Sequence, residues 1–114
     1  MTGCEMMKKI VYRKLVRDRI PEIIEQAGNT CSYSILSDED YLKMLDEKLN
    51  EELAEYQESK SMEELADLLE VIRAVALARG SSFEQVEEIR RLKADKRGGF
   101  EKKIFPEEVV ESST

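Results

Sequence analysis

The chain is predicted to be all-α, an antiparallel helical bundle of about four helices, on three observations. Glycine and proline are scarce, five and two among 114 residues, too few to turn a many-stranded sheet protein. Four segments carry helix start and stop signals. The connections between the last three are short, which suits antiparallel neighbours. A chain of this length fits one domain with one modest core. That domain is read as residues 1–114, with 14–100 as its core and 1–9 and 101–114 as peripheral tails.

Residues 10–16 read as extended or irregular. The first helix is expected from Asp18 or Pro21 to Ala27, since Pro21 suits a first turn and Gly28 a stop. Asn29 to Leu36 is a connector with room for a short strand. Ser37 and Asp38 are N-cap candidates for a second helix that runs to Glu58 or close to it. Ser59, Lys60 and Ser61 make the turn. Ser61 with Glu64 matches a capping box that opens a third helix, ending near Arg79 at Gly80. Ser82 with Gln85 opens a fourth helix, which ends near Arg97 before Gly98 and Gly99. Phe100 to Thr114 has no strong period. There is no internal repeat and no low-complexity block.

The net charge of −7 excludes a general nucleic-acid binder, which needs Lys and Arg to meet phosphates. A nucleotide would need local cations or a bound metal. Cys4 and Cys31 form no C-x-x-C pair and no disulfide framework. No apolar run reaches membrane-spanning length, and no signal peptide is visible. A cytoplasmic protein with reduced thiols is expected, with no membrane partner. Met6 and Met7 offer alternative starts, which would make Met1 to Glu5 an extension. The chain has no histidine. That rules out a His base, a Ser-His-Asp triad, His-ligated zinc and Glu-x-x-His di-iron sites. Catalysis here would run on carboxylates, cations, hydroxyls or a hard metal.

Carboxylates dominate Leu49 to Glu70, and their faces can be read on a helical wheel. Leu42, Leu45, Leu49, Leu53 and Tyr56 fall in one stripe about 80° wide. Glu52 lies about 20° outside that stripe, and Glu55 about 60° further on. Glu51 is further round still, where solvent is expected. From Leu65 to Ala78 the charged residues are Asp67, Glu70 and Arg73. A helix so nearly apolar all round is expected to be central and buried. Val71, Val75 and Ala78 form a further stripe on it, for an interface or for helix 4. Folded about their turn, the two helices set Glu55 level with Glu64, and Glu52 level with Asp67. Each pair on one helix is three residues apart, hence on one side. Four carboxylates gathered so repel unless a divalent cation joins them, and all-oxygen ligands favour Mg²⁺ or Mn²⁺. The plainer readings are solvated acids in a chain holding 25 of them, a Lys48–Glu52 helix pair, and a Glu64 that only closes the capping box.

Glu51-Glu52-x-x-Glu55 followed by Glu64-x-x-Asp67 resembles the metal-binding signature of the MazG-like all-α nucleoside triphosphate pyrophosphohydrolases. Phosphoribosyl-ATP pyrophosphohydrolases and all-α dUTPases belong to the same superfamily. Lys14-Leu-Val-Arg-Asp-Arg-Ile-Pro-Glu-Ile-Ile24 looks like the N-terminal signature of a small house-cleaning branch, and Lys93-x-x-x-Arg97-Gly-Gly-Phe100 like its C-terminal one. The three motifs in order cover roughly residues 14–100. The resemblance implies Mg²⁺-dependent cleavage between the α and β phosphates, giving a nucleoside monophosphate and pyrophosphate. It implies Glu52, Glu55, Glu64 and Asp67 as metal ligands. It also implies a homo-oligomer, a dimer or tetramer. Only eight residues separate Glu55 from Glu64, fewer than in many members, so a tight hairpin is expected and substrate identity does not carry over.

With no histidine, a carboxylate must take the proton from water. Glu52 is the first candidate and Glu51 the second. Lys14, Arg17, Lys93 and Arg97 are candidates to hold a nucleoside triphosphate or phosphoribosyl nucleotide, the arginines by bidentate contact; ordinary surface charge is the competing reading. Phe100 is a candidate for base stacking or for packing over the bundle. Tyr33, Tyr41 and Tyr56 fit core or interface packing. Two other functions compete with the enzyme: a non-catalytic nucleotide-binding or regulatory module on the same bundle, and a purely structural bundle.

Overall fold

The computed structural model describes residues 9–113; Cys4, Met6 and Met7 lie outside them. The protein is all-α. Four helices follow in order, α1 (Ile20–Gln26), α2 (Asp38–Ser59), α3 (Met62–Ala78) and α4 (Phe83–Arg97). No strand forms among the described residues, so the connector at 29–36 carries none.

Local chemistry sets the helix ends. Ser37 Oγ accepts from the Asp40 N–H at 3.2 Å, and Asp38, Glu39 and Asp40 place negative charge in the first turn of α2, where the helix dipole favours it. Ser61 Oγ and Ser82 Oγ accept in the same way from Glu64 and Gln85 at the starts of α3 and α4. The α2–α3 link is only Lys60 and Ser61. Lys60 adopts a left-handed backbone, φ 58°, and its N–H donates to Tyr56 O at 2.7 Å. Such a conformation is costly for a residue with a Cβ, and here it turns the chain sharply enough for α3 to fold straight back. Gly80, at φ +82°, ends α3 where the left-handed region suits glycine.

α2 and α3 form the main packed pair, α4 packs more lightly on α3, and α1 comes within packing distance of none of the other three. Among the described residues, the buried apolar ones are Leu45, Val71 and Ala76. The Cα radius of gyration is 21.1 Å, against about 13 Å for a compact chain of this length.

Two expectations about faces change. Leu53, placed by the wheel in the core stripe of α2, is exposed. The face of α2 that meets α3 is centred nearer Leu45 and Glu52, because packing against α3, and not the leucine spacing alone, sets the roll of α2. α3 is central but not buried all round. Val71 is buried while Met62, Leu69 and Leu77 stand open to solvent, since no helix covers that side. Ala78 shares a hollow with Asp38, Tyr41 and Leu42, so this end of the Val71–Val75–Ala78 stripe faces α2.

Candidate metal centre

The hairpin gathers the carboxylates in two overlapping groups. Glu51, Glu52 and Glu55 each offer an oxygen within 4.8 Å of the others, and so do Glu52, Glu64 and Asp67. Glu52 belongs to both. All four of Glu52, Glu55, Glu64 and Asp67 are thus brought to one side of the hairpin, with Glu51 beside them.

Glu52 is 7% exposed, the one buried charged residue among those described. Lys48 Nζ lies 3.5 Å from its Oε1, a loose ion pair one helical turn away. Its Oε2 is buried with no hydrogen-bond partner. Burial, followed by the nearby Glu55 carboxylate, pushes the Glu52 carboxyl above the usual range, and Lys48 only partly offsets them. A buried carboxylate with one orphaned oxygen costs stability.

Glu64 repeats the pattern from α3. Its backbone N–H is held by Ser61 Oγ at 3.3 Å, as a capping box requires. The reciprocal bond is absent, because the Ser61 N–H instead donates to Ser59 Oγ at 3.3 Å. The Glu64 carboxylate is therefore free of the cap and turns to the cluster, where Oε2 is buried and unpartnered. Burial and then the charges of Glu55 and Asp67 raise its pKa.

The outer carboxylates are engaged by cations. Lys14 Nζ donates to Glu51 Oε1 at 3.0 Å and Lys48 Nζ to Glu51 Oε2 at 3.3 Å. Glu51 is half-buried rather than on the solvent side the wheel suggests, with a quarter of its side chain exposed. Burial would raise its pKa, but the two lysines together hold it below the usual range. The hydrogen bond to Glu51 in turn raises the pKa of Lys14. Arg17 Nη2 reaches Asp67 Oδ1 at 2.7 Å. Lys48, a helix partner of Glu52 on the sequence alone, lies beside two site acids of its own helix, Glu51 at 3.3 Å and Glu52 at 3.5 Å.

Lys93 and Arg97 lie exposed on α4. Neither pairs with a carboxylate among the described residues, and α4 does not bring them into the cluster. Phe100 is almost wholly exposed and packs on no helix; its hollow is lined by Gly99, Lys102, Lys103 and Ile104.

The donor set suits a hard divalent cation. It is all oxygen, anionic, and includes two buried oxygens that no protein group satisfies. Glu52 with Glu64 and Asp67 could hold one ion, and Glu52 with Glu51 and Glu55 another, with the Glu52 carboxylate shared.

Comparison with known proteins gives little beyond this. The chain is 55% identical over 42 residues to an uncharacterized protein of Mycolicibacterium smegmatis (strain ATCC 700084 / mc(2)155). That match covers 37% of this chain and 43% of the relative, so the chain spans less than half the length of the relative it matches. No family model matches. No solved structure matches. No helix among the described residues is long and apolar enough to cross a membrane.

Proposed function

We propose that this chain is a Mg²⁺-dependent pyrophosphohydrolase that converts a nucleoside triphosphate, canonical or altered, to its monophosphate and pyrophosphate. The observation that carries the metal part is Glu52, buried, orphaned at one oxygen, and common to both carboxylate groups. The reaction part rests on the resemblance of Lys14–Ile24, Glu51–Asp67 and Lys93–Phe100 to the MazG-like enzymes. Mn²⁺ fits the same donors.

Mg²⁺ bound by these carboxylates would supply charge neutralisation at the phosphates and a more acidic water. A water oxygen bonds to phosphorus, the bridging P–O bond between the α and β phosphates breaks, and the water proton passes to a carboxylate. Glu52 takes that role first, since its Oε2 has no other partner. Glu51 is second, because a lysine already sits on each of its oxygens. Lys14 and Arg17, from the segment before α1, are beside the cluster and within reach of a phosphate held there. Lys93 and Arg97 would need α4, or a second subunit, to approach.

The open side of α3 supports self-association as a homodimer or homotetramer. Met62, Leu69 and Leu77 recur at helical spacing and are each at least half exposed. Three buried apolar residues among those described are a small core for a chain this long. The resemblance names a second copy as the cover. The same reading places the protein in the cytoplasm, where nucleotide pools lie.

The test is product analysis on a panel of normal, deoxy and oxidised triphosphates and a phosphoribosyl nucleotide, with Mg²⁺ and with EDTA. Pyrophosphate and monophosphate are expected in Mg²⁺ and absent in EDTA. Nucleotide binding without turnover of any member would replace the enzyme by a nucleotide-binding or regulatory module.

A further inference from the structure

The segment before α1 has no regular structure from residue 9 to residue 19 beyond a bend and a turn, and α1 packs on no other helix. Two ion pairs tie this segment to the hairpin. Lys14 holds Glu51 on α2 at 3.0 Å, and Arg17 holds Asp67 on α3 at 2.7 Å. The two contacts straddle the carboxylate cluster, one on each helix. Each uses a member of a different ligand group, Glu51 in the first and Asp67 in the second.

Both cations are cheap to move. The side chains of Lys14 and Arg17 are 44% and 59% exposed, and exposed ion pairs contribute little. The inner carboxylates, by contrast, each keep one buried oxygen that no protein group meets, Glu52 Oε2 and Glu64 Oε2. The cations therefore sit on the rim of the cluster and leave its interior unsatisfied.

Resting on the metal-site reading above, we propose that Lys14 and Arg17 form an exchangeable strap. In the metal-free chain they neutralise Glu51 and Asp67. When a divalent cation draws these carboxylates inward, the strap is released, and its two charges, three residues apart, pass to the phosphates of the incoming polyphosphate. The strap thus holds the open cluster together without metal and becomes part of the substrate clamp with it. A loop-borne cation can do this because it carries no helix with it when it moves.

An exchangeable strap and a static support differ in the sign of their effects. Arg17→Gln and Lys14→Gln remove a competitor of the metal, so each should tighten binding of Mg²⁺ alone by about two- to fivefold, the range of one exposed ion pair. Each should weaken binding of inorganic tripolyphosphate in excess Mg²⁺ by at least as much, because a phosphate partner is lost. Both affinities are read by calorimetry on the full chain. A second reading uses the unaltered protein. Trypsin cleavage after Lys14 and Arg17 should speed up when Mg²⁺ replaces EDTA, and slow again when tripolyphosphate is added. If Arg17→Gln weakens Mg²⁺ and tripolyphosphate together, or if cleavage slows on adding Mg²⁺ alone, the strap is a fixed support and the proposal fails. A wild-type chain that binds no Mg²⁺ by calorimetry overturns the metal site itself, a result distinct from Mg²⁺ binding with the wrong sign in the variants.

Discussion

The two sides of α3 break the usual rule of folding in opposite ways. Toward α2, the hairpin buries carboxylates: Glu52 is 7% exposed and Glu64 hides an unpartnered oxygen. Away from α2, the same helix exposes Leu69 and Leu77 at 51% and 50%. A single exposed leucine or a single surface acid says little, but a buried orphan carboxylate and a row of open apolar side chains are each informative. One side leaves carboxylate oxygens without a partner and the other leaves apolar side chains uncovered. On the function proposed above, a divalent cation would answer the first and a second subunit the second.

The sharpest way to separate the sides is to neutralise the buried one. Glu52→Gln keeps the shape and removes the charge. Turnover should fall about 10²–10⁴-fold, the range for losing a positioned base. The variant should nevertheless melt no lower than wild type in EDTA, since a buried like-charge contact with Glu55 has gone. Wild type should gain about 2.7 kcal/mol from Mg²⁺ at a hundred times its Kd, and Glu52→Gln should not. A variant that turns over normally takes Glu52 out of the chemistry. One that melts well below wild type in EDTA makes Glu52 a structural acid.

The apolar side has its own test. Leu69→Asp puts a charge where the cover is expected, and association should weaken by about 2 kcal/mol or more, roughly 30-fold. Light scattering at matched concentrations reads the mass. The Mg²⁺-induced rise in melting temperature should survive, because Leu69 is on the far side from the carboxylates. Unchanged mass would leave that face to some other occupant or to solvent.

The smallest effect is the pH dependence of the metal-free protein. Glu52 and Glu64 have pKa values raised by burial and by their acidic neighbours. The folded chain therefore binds more protons than the unfolded one between the unfolded carboxylate range and those raised values. In EDTA, stability should rise as pH falls from neutral into that window. Glu51, held low by its lysines, acts oppositely and only at lower pH. With Mg²⁺ bound the trend should reverse, because metal and protons compete for the same oxygens. A melting temperature that drops steadily as the pH is lowered from neutral in EDTA would mean the cluster is not crowded as described.

The helices were legible because their signals are local. Ser37, Ser61 and Ser82 sit where their hydroxyls meet the N–H three residues on, and Gly80 where a helix must stop. The pairing of Glu52 with Asp67 and of Glu55 with Glu64 was legible too, because distance from a tight turn fixes the level of each residue on both helices. The roll of α2 was not. The wheel centred its buried face on the leucines and put Leu53 inside and Glu51 outside, whereas the hairpin turns Glu52 inward and half-covers Glu51. A wheel records angles within one helix, and the roll about its axis is set by the neighbour.

By itself, then, the amino-acid sequence determined which segments are helical, where they end, and which carboxylates share a level. Those follow from hydrogen bonds and periodicities within a few residues of each position. Tertiary packing decided the rest. It chose which acids lose water, and drew Lys14 and Arg17 across gaps of 37 and 50 residues to Glu51 and Asp67. Desolvation and long-range ion pairing depend on what lies opposite in space, and no local pattern carries that information.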